Sequence, residues 1–193
     1  MKISEMSPLE WLVLLFSIGA YFPLIRGVFK NKMDKSQVAT TWALYTVLDV
    51  ILAIVTFIKG GNFLFPLGFS VGSFILTIIL IYQRKIYWCI IETLVTGLVI
   101  VCIVFWLVGG ATTTIFFGVL SQTIVGLYLI YNTIKNPVVE YNLIGYFLFL
   151  TASVLTLLNA DSSGIEEIGY AIAETLLSVI IIIPLLKKWW SKN

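Results

Sequence analysis

Histidine is absent from this chain of 193 residues, and cysteine occurs only twice. Without histidine the chain lacks the commonest metal ligand and the usual acid–base group near neutral pH, which excludes His-ligated haem and His-based zinc sites. Cys89 and Cys102 lie in one apolar run, about 20 Å apart if that run is helical, which is too far for a disulfide. No nucleophile–base pair is evident either. We therefore expect no cofactor, no metal and no enzymatic activity.

Charge is also scarce: 11% of the residues are charged and 60% are hydrophobic, against about 25% and 45–50% in ordinary soluble domains. A soluble protein of this size has too little polar surface to cover so much apolar surface. Lipid must be the solvent for most of the chain. The net charge of +2 is too small to indicate a nucleic-acid partner. We expect a multi-pass integral protein of the cell (plasma) membrane, with the lipid bilayer as a partner.

Long apolar runs separated by short polar breaks predict seven transmembrane helices, since a spanning helix needs about 20 mostly apolar residues. The first run follows acidic residues and has no small-residue cleavage site, so we expect a retained helix rather than a secretory signal. The connecting loops are too short for an extramembrane domain. The predicted spans are 9–29, 37–58, 63–83, 87–107, 112–134, 141–159 and 167–187.

Lysine and arginine are distributed very unevenly between alternate loops, and these residues stay on the cytoplasmic side of a membrane. The side that holds the N-terminus carries only Lys2 and Lys59. The uneven distribution predicts an N-terminus outside and a C-terminus in the cytoplasm, which requires an odd number of spans. The other side carries Arg26, Lys30, Lys32, Lys35, Arg84, Lys85, Lys135, Lys187, Lys188 and Lys192.

Parts of the sequence recur in the same order. Val28–Lys32 after the first span is similar to Thr133–Pro137 after the fifth, and Gly72–Ile79 in the third span parallels Ala173–Ile180 in the seventh. Spans 1–3 and 5–7 are therefore predicted to be two copies of a three-helix unit, with span 4 as a linker. The linker makes the copies parallel. The predicted domains are a first bundle (1–85), a linker helix (86–110) and a second bundle (111–193).

This layout resembles the SWEET sugar transporters and the wider PQ-loop superfamily of small membrane transporters. The resemblance rests on Tyr21–Arg26, with Pro23 late in the first span, on the basic loop and aromatic-bearing helix of Met33–Trp42, and on Gln122–Glu140 in the second copy. Leu24 follows Pro23 where the superfamily has glutamine, so the chain is similar to a divergent member. The resemblance implies a 3+1+3 all-α fold and a central solute site.

Three carboxylates lie within predicted spans, where an ionised group costs about 2.5–3.5 kcal/mol or more and usually faces a cavity or a partner. Asp49 is in the middle of span 2 and shares a helix face with Trp42 and Tyr45. The rings offer stacking surface, and the acid offers a hydrogen bond or a proton carrier. The alternative is a structural Asp49 bonded to a neighbouring helix. Glu92 lies near the cytoplasmic end of the linker, and we expect its side chain to reach outward to water.

Glu174 in span 7 is, with Asp49, a candidate for proton coupling; its alternative role is to reach the outer interface. Ser73 occupies the position that aligns with Glu174 in the first copy. Gln122 and Ser153 are further candidates for substrate binding, or else they bond neighbouring helices. Pro23 is a candidate hinge, because proline removes a backbone hydrogen bond.

Two functions remain open at this stage. The first is a transporter of a small polar solute, such as a sugar or an amino acid, by alternating access and with or without proton coupling. The second is a ligand-binding or sorting receptor of the same fold that does not transport. The sequence also leaves open whether the chain forms a homo-oligomer.

Overall fold

The computed structural model describes residues 7–30, 38–88, 90–135, 139–160 and 165–191. The described residues form helices and no strand, as predicted for an all-α protein. The helices are α1 (Pro8–Gly19), α2 (Tyr21–Phe29), α3 (Ala39–Ile58), α4 (Leu64–Tyr82), α5 (Ile90–Val108), α6 (Ala111–Lys135), α7 (Val139–Asn159) and α8 (Ile165–Trp190).

Within the described ranges, six stretches of helix are long and apolar enough to cross a membrane. One of them is α1 together with α2, a continuous stretch of 22 residues; the others lie in α3, α4, α6, α7 and α8. The fourth predicted span is also helical, as α5, and Glu92–Val108 is an apolar stretch within it. Many large apolar side chains on these helices are exposed, as expected for surfaces that face lipid. The chain is therefore a multi-pass, all-helical membrane protein.

The first span is interrupted at Ala20, between α1 and α2. Pro23 has no N–H to donate to the carbonyl of Gly19, so one hydrogen bond of the helix is missing beside the interruption. Gly145 of α7 packs against this point, and a Cβ atom at Gly145 would lie 3.0 Å from the Ala20 carbonyl oxygen. The interruption is thus in close contact with a neighbouring helix.

The connections fall close to the predicted breaks. Gly110 joins α5 to α6 with φ +82°, a conformation that favours glycine. The break predicted for 135–140 is shorter, because α6 continues through Lys135 and α7 begins at Val139. The short connections make successive spans alternate in direction, so α4, α6 and α8 begin at the end of the bundle where α1 begins. We call this the first end, and the opposite one the second end.

Helix packing divides the bundle into two groups. In one group α4 packs against α1, α2 and α3; in the other α8 packs against α6 and α7. The groups meet where α3 contacts α6 and where α7 contacts α1 and α2. Helix α5, which was predicted to be the linker, lies against α3 and α6. The space between the two groups therefore runs through the middle of the bundle.

The start of α3 is attached to the segment between α4 and α5. The Ala39 N–H donates to the Lys85 carbonyl over 2.9 Å, and the Thr40 hydroxyl donates to the Tyr87 carbonyl. The first bond satisfies an N–H that the first turn of a helix leaves without a partner, and the second satisfies the Tyr87 carbonyl. They fix the helix that carries Trp42, Tyr45 and Asp49.

Candidate functional site

A cavity lies between the two groups of helices and is lined by both. The space among its lining residues is about 410 Å³, including the part that is open to solvent. The lining residues are Tyr21, Trp42, Tyr45, Phe69, Gly126, Leu129, Tyr146, Phe149, Glu174, Leu177, Ser178 and Ile181.

Aromatic rings make up half of this lining and contact one another across the groups. The Tyr21 ring centroid lies 5.6 Å from Trp42 and 5.0 Å from Phe149, in edge-to-face geometry. Trp42 lies 5.4 Å from Tyr45, and Phe149 is 5.8 Å from Tyr146. These separations are typical of favourable aromatic pairs. The rings form a closely packed wall of the cavity.

Two polar groups of the lining stand out against the rings. Glu174 is 9% exposed and is the one charged side chain among the described residues that line the cavity. No described residue donates a hydrogen bond to it. The indole N–H of Trp42 is buried and likewise has no hydrogen-bond partner among the described residues. The cavity thus combines an acceptor and a donor with an otherwise largely apolar wall.

Asp49 forms the centre of a second, fully buried polar group. Its Oδ1 accepts hydrogen bonds from the Gln122 amide at 2.5 Å and from the Tyr170 hydroxyl at 2.8 Å. We call Asp49, Gln122 and Tyr170 the Asp49 cluster. Its members come from α3, α6 and α8, so the cluster connects the two groups of helices. Asp49 Oδ2 and Gln122 Oε1 have no partner among the described residues.

The Asp49 cluster lies at one end of the cavity on all three of its helices. Along α3, the cavity residues Trp42 and Tyr45 precede Asp49. Along α6 and α8, which run in the opposite direction, the cavity residues follow Gln122 and Tyr170. The cluster is therefore on the side of the first end, and the cavity extends from it toward the second end.

The residues predicted for a solute site fall into three sets, and two of these sets lie at the cavity. Trp42, Tyr45 and Glu174 line the cavity, and Asp49 and Gln122 are joined at its end. For Asp49 and Gln122, bonding to a neighbouring helix was the alternative interpretation, and the structure gives them that contact together with a place beside the cavity.

Ser73 and Ser153 do not line the cavity. The Ser73 hydroxyl accepts from Thr46 at 3.0 Å, and the Ser153 hydroxyl accepts from Thr175 at 2.9 Å. Each of these bonds joins neighbouring helices within one group, which was the alternative interpretation for Ser153.

Glu92 differs from its prediction. Its side chain was expected to reach outward to water, but it is 2% exposed and its Oε1 accepts a hydrogen bond from the Thr41 hydroxyl at 2.7 Å. The donor is on α3, against which α5 packs. Glu92 lies outside the cavity lining and connects α5 to the first group.

Sequence reasoning missed Tyr170 and the aromatic residues of α7. A usable signal was present: Tyr146, Phe149 and a buried serine have the same spacing in α7 as Trp42, Tyr45 and Asp49 in α3. Tyr170 had no comparable signal, because it stands near the start of a predicted span, where tyrosine is common as an interfacial residue.

Fold and site together define a class, namely all-helical multi-pass membrane proteins with a buried aromatic cavity. Comparison with family models, curated proteins and solved structures gives no match for this chain.

Proposed function

We propose that this protein transports a small polar solute across the cell membrane by alternating access. The observation that carries the proposal is a central cavity between two groups of helices, with hydrogen bonds between the groups at one of its ends. Such a solute site becomes accessible from alternate sides when the two groups tilt against each other.

The pattern of helix contacts supports a duplicated three-helix unit. The third span (α4) lies between the first (α1 and α2) and the second (α3), and the seventh span (α8) lies between the fifth (α6) and the sixth (α7). Between the units, the first span meets the sixth and the second meets the fifth. Exchanging the two units leaves this pattern unchanged, as expected for parallel repeats related by an axis along the membrane normal.

Close packing at two glycines supports the same duplication. A Cβ atom on Gly72 would clash with the Tyr21 ring, and one on Gly126 would clash with Leu177. The number of residues that separates Tyr21 from Gly126 also separates Gly72 from Leu177. The two contacts therefore correspond to each other under one shift along the sequence, with the glycine and its large partner exchanged between the two helices. This shift pairs Ser73 with Ser178, whereas the sequence comparison paired Ser73 with Glu174, which lies one helical turn before Ser178.

Rings that this shift relates also meet near the centre of the bundle. Phe65 corresponds to Tyr170, and their centroids are 5.2 Å apart. Contact between corresponding residues is expected where a twofold axis passes between them. The aromatic spacing shared by α3 and α7 relates Trp42 to Tyr146 by a shift that is one residue shorter. We therefore infer a 3+1+3 arrangement, with α5 as the linker.

The Asp49 cluster is the proposed closure of the cavity at the first end. Opening there requires the separation of α3 from α6 and α8, and hence the loss of both hydrogen bonds of Asp49. A proton on Asp49 would replace an ionised acceptor by a neutral one, and hydrogen bonds to ionised groups are roughly twice as strong. Proton uptake would thus favour opening. If the lysine-rich second end is cytoplasmic, this closure faces outward.

Counterflow in proteoliposomes tests the proposal. Solutes are first selected by thermal shift of the purified protein against sugars, amino acids, amines and vitamins, since a ligand that binds only the folded protein must stabilise it. Vesicles loaded with the selected solute should then accumulate its labelled form. The Asp49→Asn and Tyr170→Phe variants should change the exchange rate, and Asp49→Asn should remove any response to a pH gradient. Glu92→Gln is the matched control, because Glu92 is a buried carboxylate outside the cavity lining.

A receptor of the same fold predicts a different result. The solute would bind with the same affinity, but no label would accumulate in vesicles that contain active, correctly folded protein. Binding without counterflow would therefore contradict transport. Wild-type exchange by Asp49→Asn under every gradient would remove Asp49 from the mechanism while leaving transport intact.

A further inference from the structure

We propose that the solute is a small organic cation, with a methylated ammonium group as the preferred chemistry. This inference rests on the proposed function only in taking the central cavity as the solute site. It concerns what the cavity binds, and it holds whether or not the bound solute is moved across the membrane.

The first observation is the number of ring faces and edges around one small space. Six aromatic side chains from four helices line the cavity, including Trp42, the strongest type of ring for this purpose, and three tyrosines. An ammonium group within about 6 Å of such rings is attracted by their quadrupoles, most strongly where water is excluded. Cages of this kind are the usual recognition device for quaternary ammonium groups.

The second observation is the sign of the charge. Glu174 is the one charged side chain that lines the cavity in the described part of the chain, and no lysine or arginine faces it there. Glu174 also accepts no hydrogen bond from a described residue. A buried carboxylate of this kind is costly when ionised unless a cation accompanies it. A bound ammonium group would provide that charge.

The lining also argues against a sugar or another neutral polyol. Such solutes need several donors and acceptors arranged around a ring, because each buried hydroxyl without a partner costs free energy. Among the described residues, the lining contains no amide side chain, and its polar groups are few: Glu174, Ser178, the Trp42 N–H and the tyrosine hydroxyls. One acceptor oxygen on the solute could use the Trp42 N–H, which has no partner among the described residues. Choline has one ammonium group and one oxygen.

The experiment compares choline with 3,3-dimethyl-1-butanol, its neutral analogue of the same shape, using calorimetry on the detergent-purified full chain. Choline should bind and raise the melting temperature, and the neutral analogue should bind at least about tenfold more weakly, which corresponds to one charge-dependent contact. Glu174→Gln should weaken choline binding by about tenfold or more and leave the analogue unaffected. Trp42→Leu should weaken choline binding by a similar factor.

Controls separate loss of binding from loss of folding. Glu92→Gln should bind choline like the wild type, and each variant's melting temperature without ligand reports whether it folds. If Glu174→Gln does not fold, the comparison of choline with its analogue on the wild-type chain still decides the question. Equal binding of the two compounds overturns the inference. So does a wild-type chain that binds glucose but not choline.

The results also distinguish this inference from the transport proposal. Choline binding without counterflow leaves the cation site standing and contradicts transport. Counterflow of a neutral solute, with no binding of choline, leaves transport standing and contradicts the cation site.

Discussion

The contact between Gly72 and Tyr21 gives a sharp test of how the first unit packs. In a Gly72→Ala variant the new Cβ atom would lie 2.0 Å from Tyr21 Cδ2 and 2.5 Å from Cε2, whereas carbon atoms in favourable contact are about 3.5–4.0 Å apart. The ring cannot move away freely, because its other neighbours include Trp42 and Phe149, with centroids 5.6 and 5.0 Å away. Helix α2 or α4 must therefore shift.

Overpacking of this kind costs about 1–3 kcal/mol, and a rigid ring between other rings places Gly72→Ala near the upper limit. For a chain of this length, about 3 kcal/mol corresponds to a fall of roughly 6–12 °C in the melting temperature. Gly126→Ala should cost less, because its new methyl group meets the flexible end of Leu177. Gly97→Ala on α5 is the matched control, since nothing lies within 4 Å of its Cβ position.

Thermal unfolding of the three variants in one detergent provides the measurement. The expected order of melting temperatures is Gly97→Ala highest and Gly72→Ala lowest. Replacing Tyr21 by leucine should make the Gly72→Ala change much less costly, which a double-mutant cycle would detect as a coupling free energy. Equal melting temperatures for Gly72→Ala and Gly97→Ala would refute the packing of α2 on α4 described above.

Three further changes test other parts of the molecule. Thr41→Val removes a hydrogen bond to Glu92 and should lower stability by about 0.6–1.7 kcal/mol without altering solute binding; unchanged melting would contradict a link between α3 and α5. Pro23→Ala restores a backbone donor, so we expect a higher melting temperature with slower counterflow, and an unchanged rate would identify a static kink. Single cysteines at Lys59 and Lys188, in a chain without native cysteines, should react with an impermeant maleimide from opposite sides, Lys59→Cys from outside; the reverse would invert the predicted orientation.

The positions of the helices could be predicted from the sequence because lipid imposes strict requirements. Every backbone polar group in the hydrocarbon region must be paired within the protein, which makes apolar runs helical, and bilayer thickness sets their length. The face shared by Trp42, Tyr45 and Asp49 followed from helical periodicity alone. These three residues are buried together in the structure, as the pattern indicated.

The partners of these residues could not be predicted in the same way. Gln122 and Tyr170 are 73 and 121 residues from Asp49 in the sequence, and their contact depends on the rotation of α6 and α8 about their axes. Uniformly apolar helices carry little periodic signal for that rotation. Glu92 was misjudged for a related reason, because its position near a helix end indicated water, whereas its burial depends on the packing of α5 against α3.

In the proposed repeat, the Asp49 cluster has no charged counterpart in the other unit, and this difference affects the transport cycle. The positions that correspond to Gln122 and Tyr170 in the other unit are Ser17 and Phe65, and the one-residue-shorter shift between α3 and α7 pairs Asp49 with Ser153. None of the three carries a charge. The interface there is held instead by close packing, in which the Ala20 carbonyl lies against Gly145. Separating packed apolar surfaces within a membrane leaves no buried polar group without its partners. Separating the Asp49 cluster, in contrast, removes both hydrogen-bond donors from a carboxyl group. We therefore expect the chain without solute to favour the state that is closed at the first end, and a cation seated beside Glu174, one helical turn from Tyr170, to be the ligand that shifts this balance.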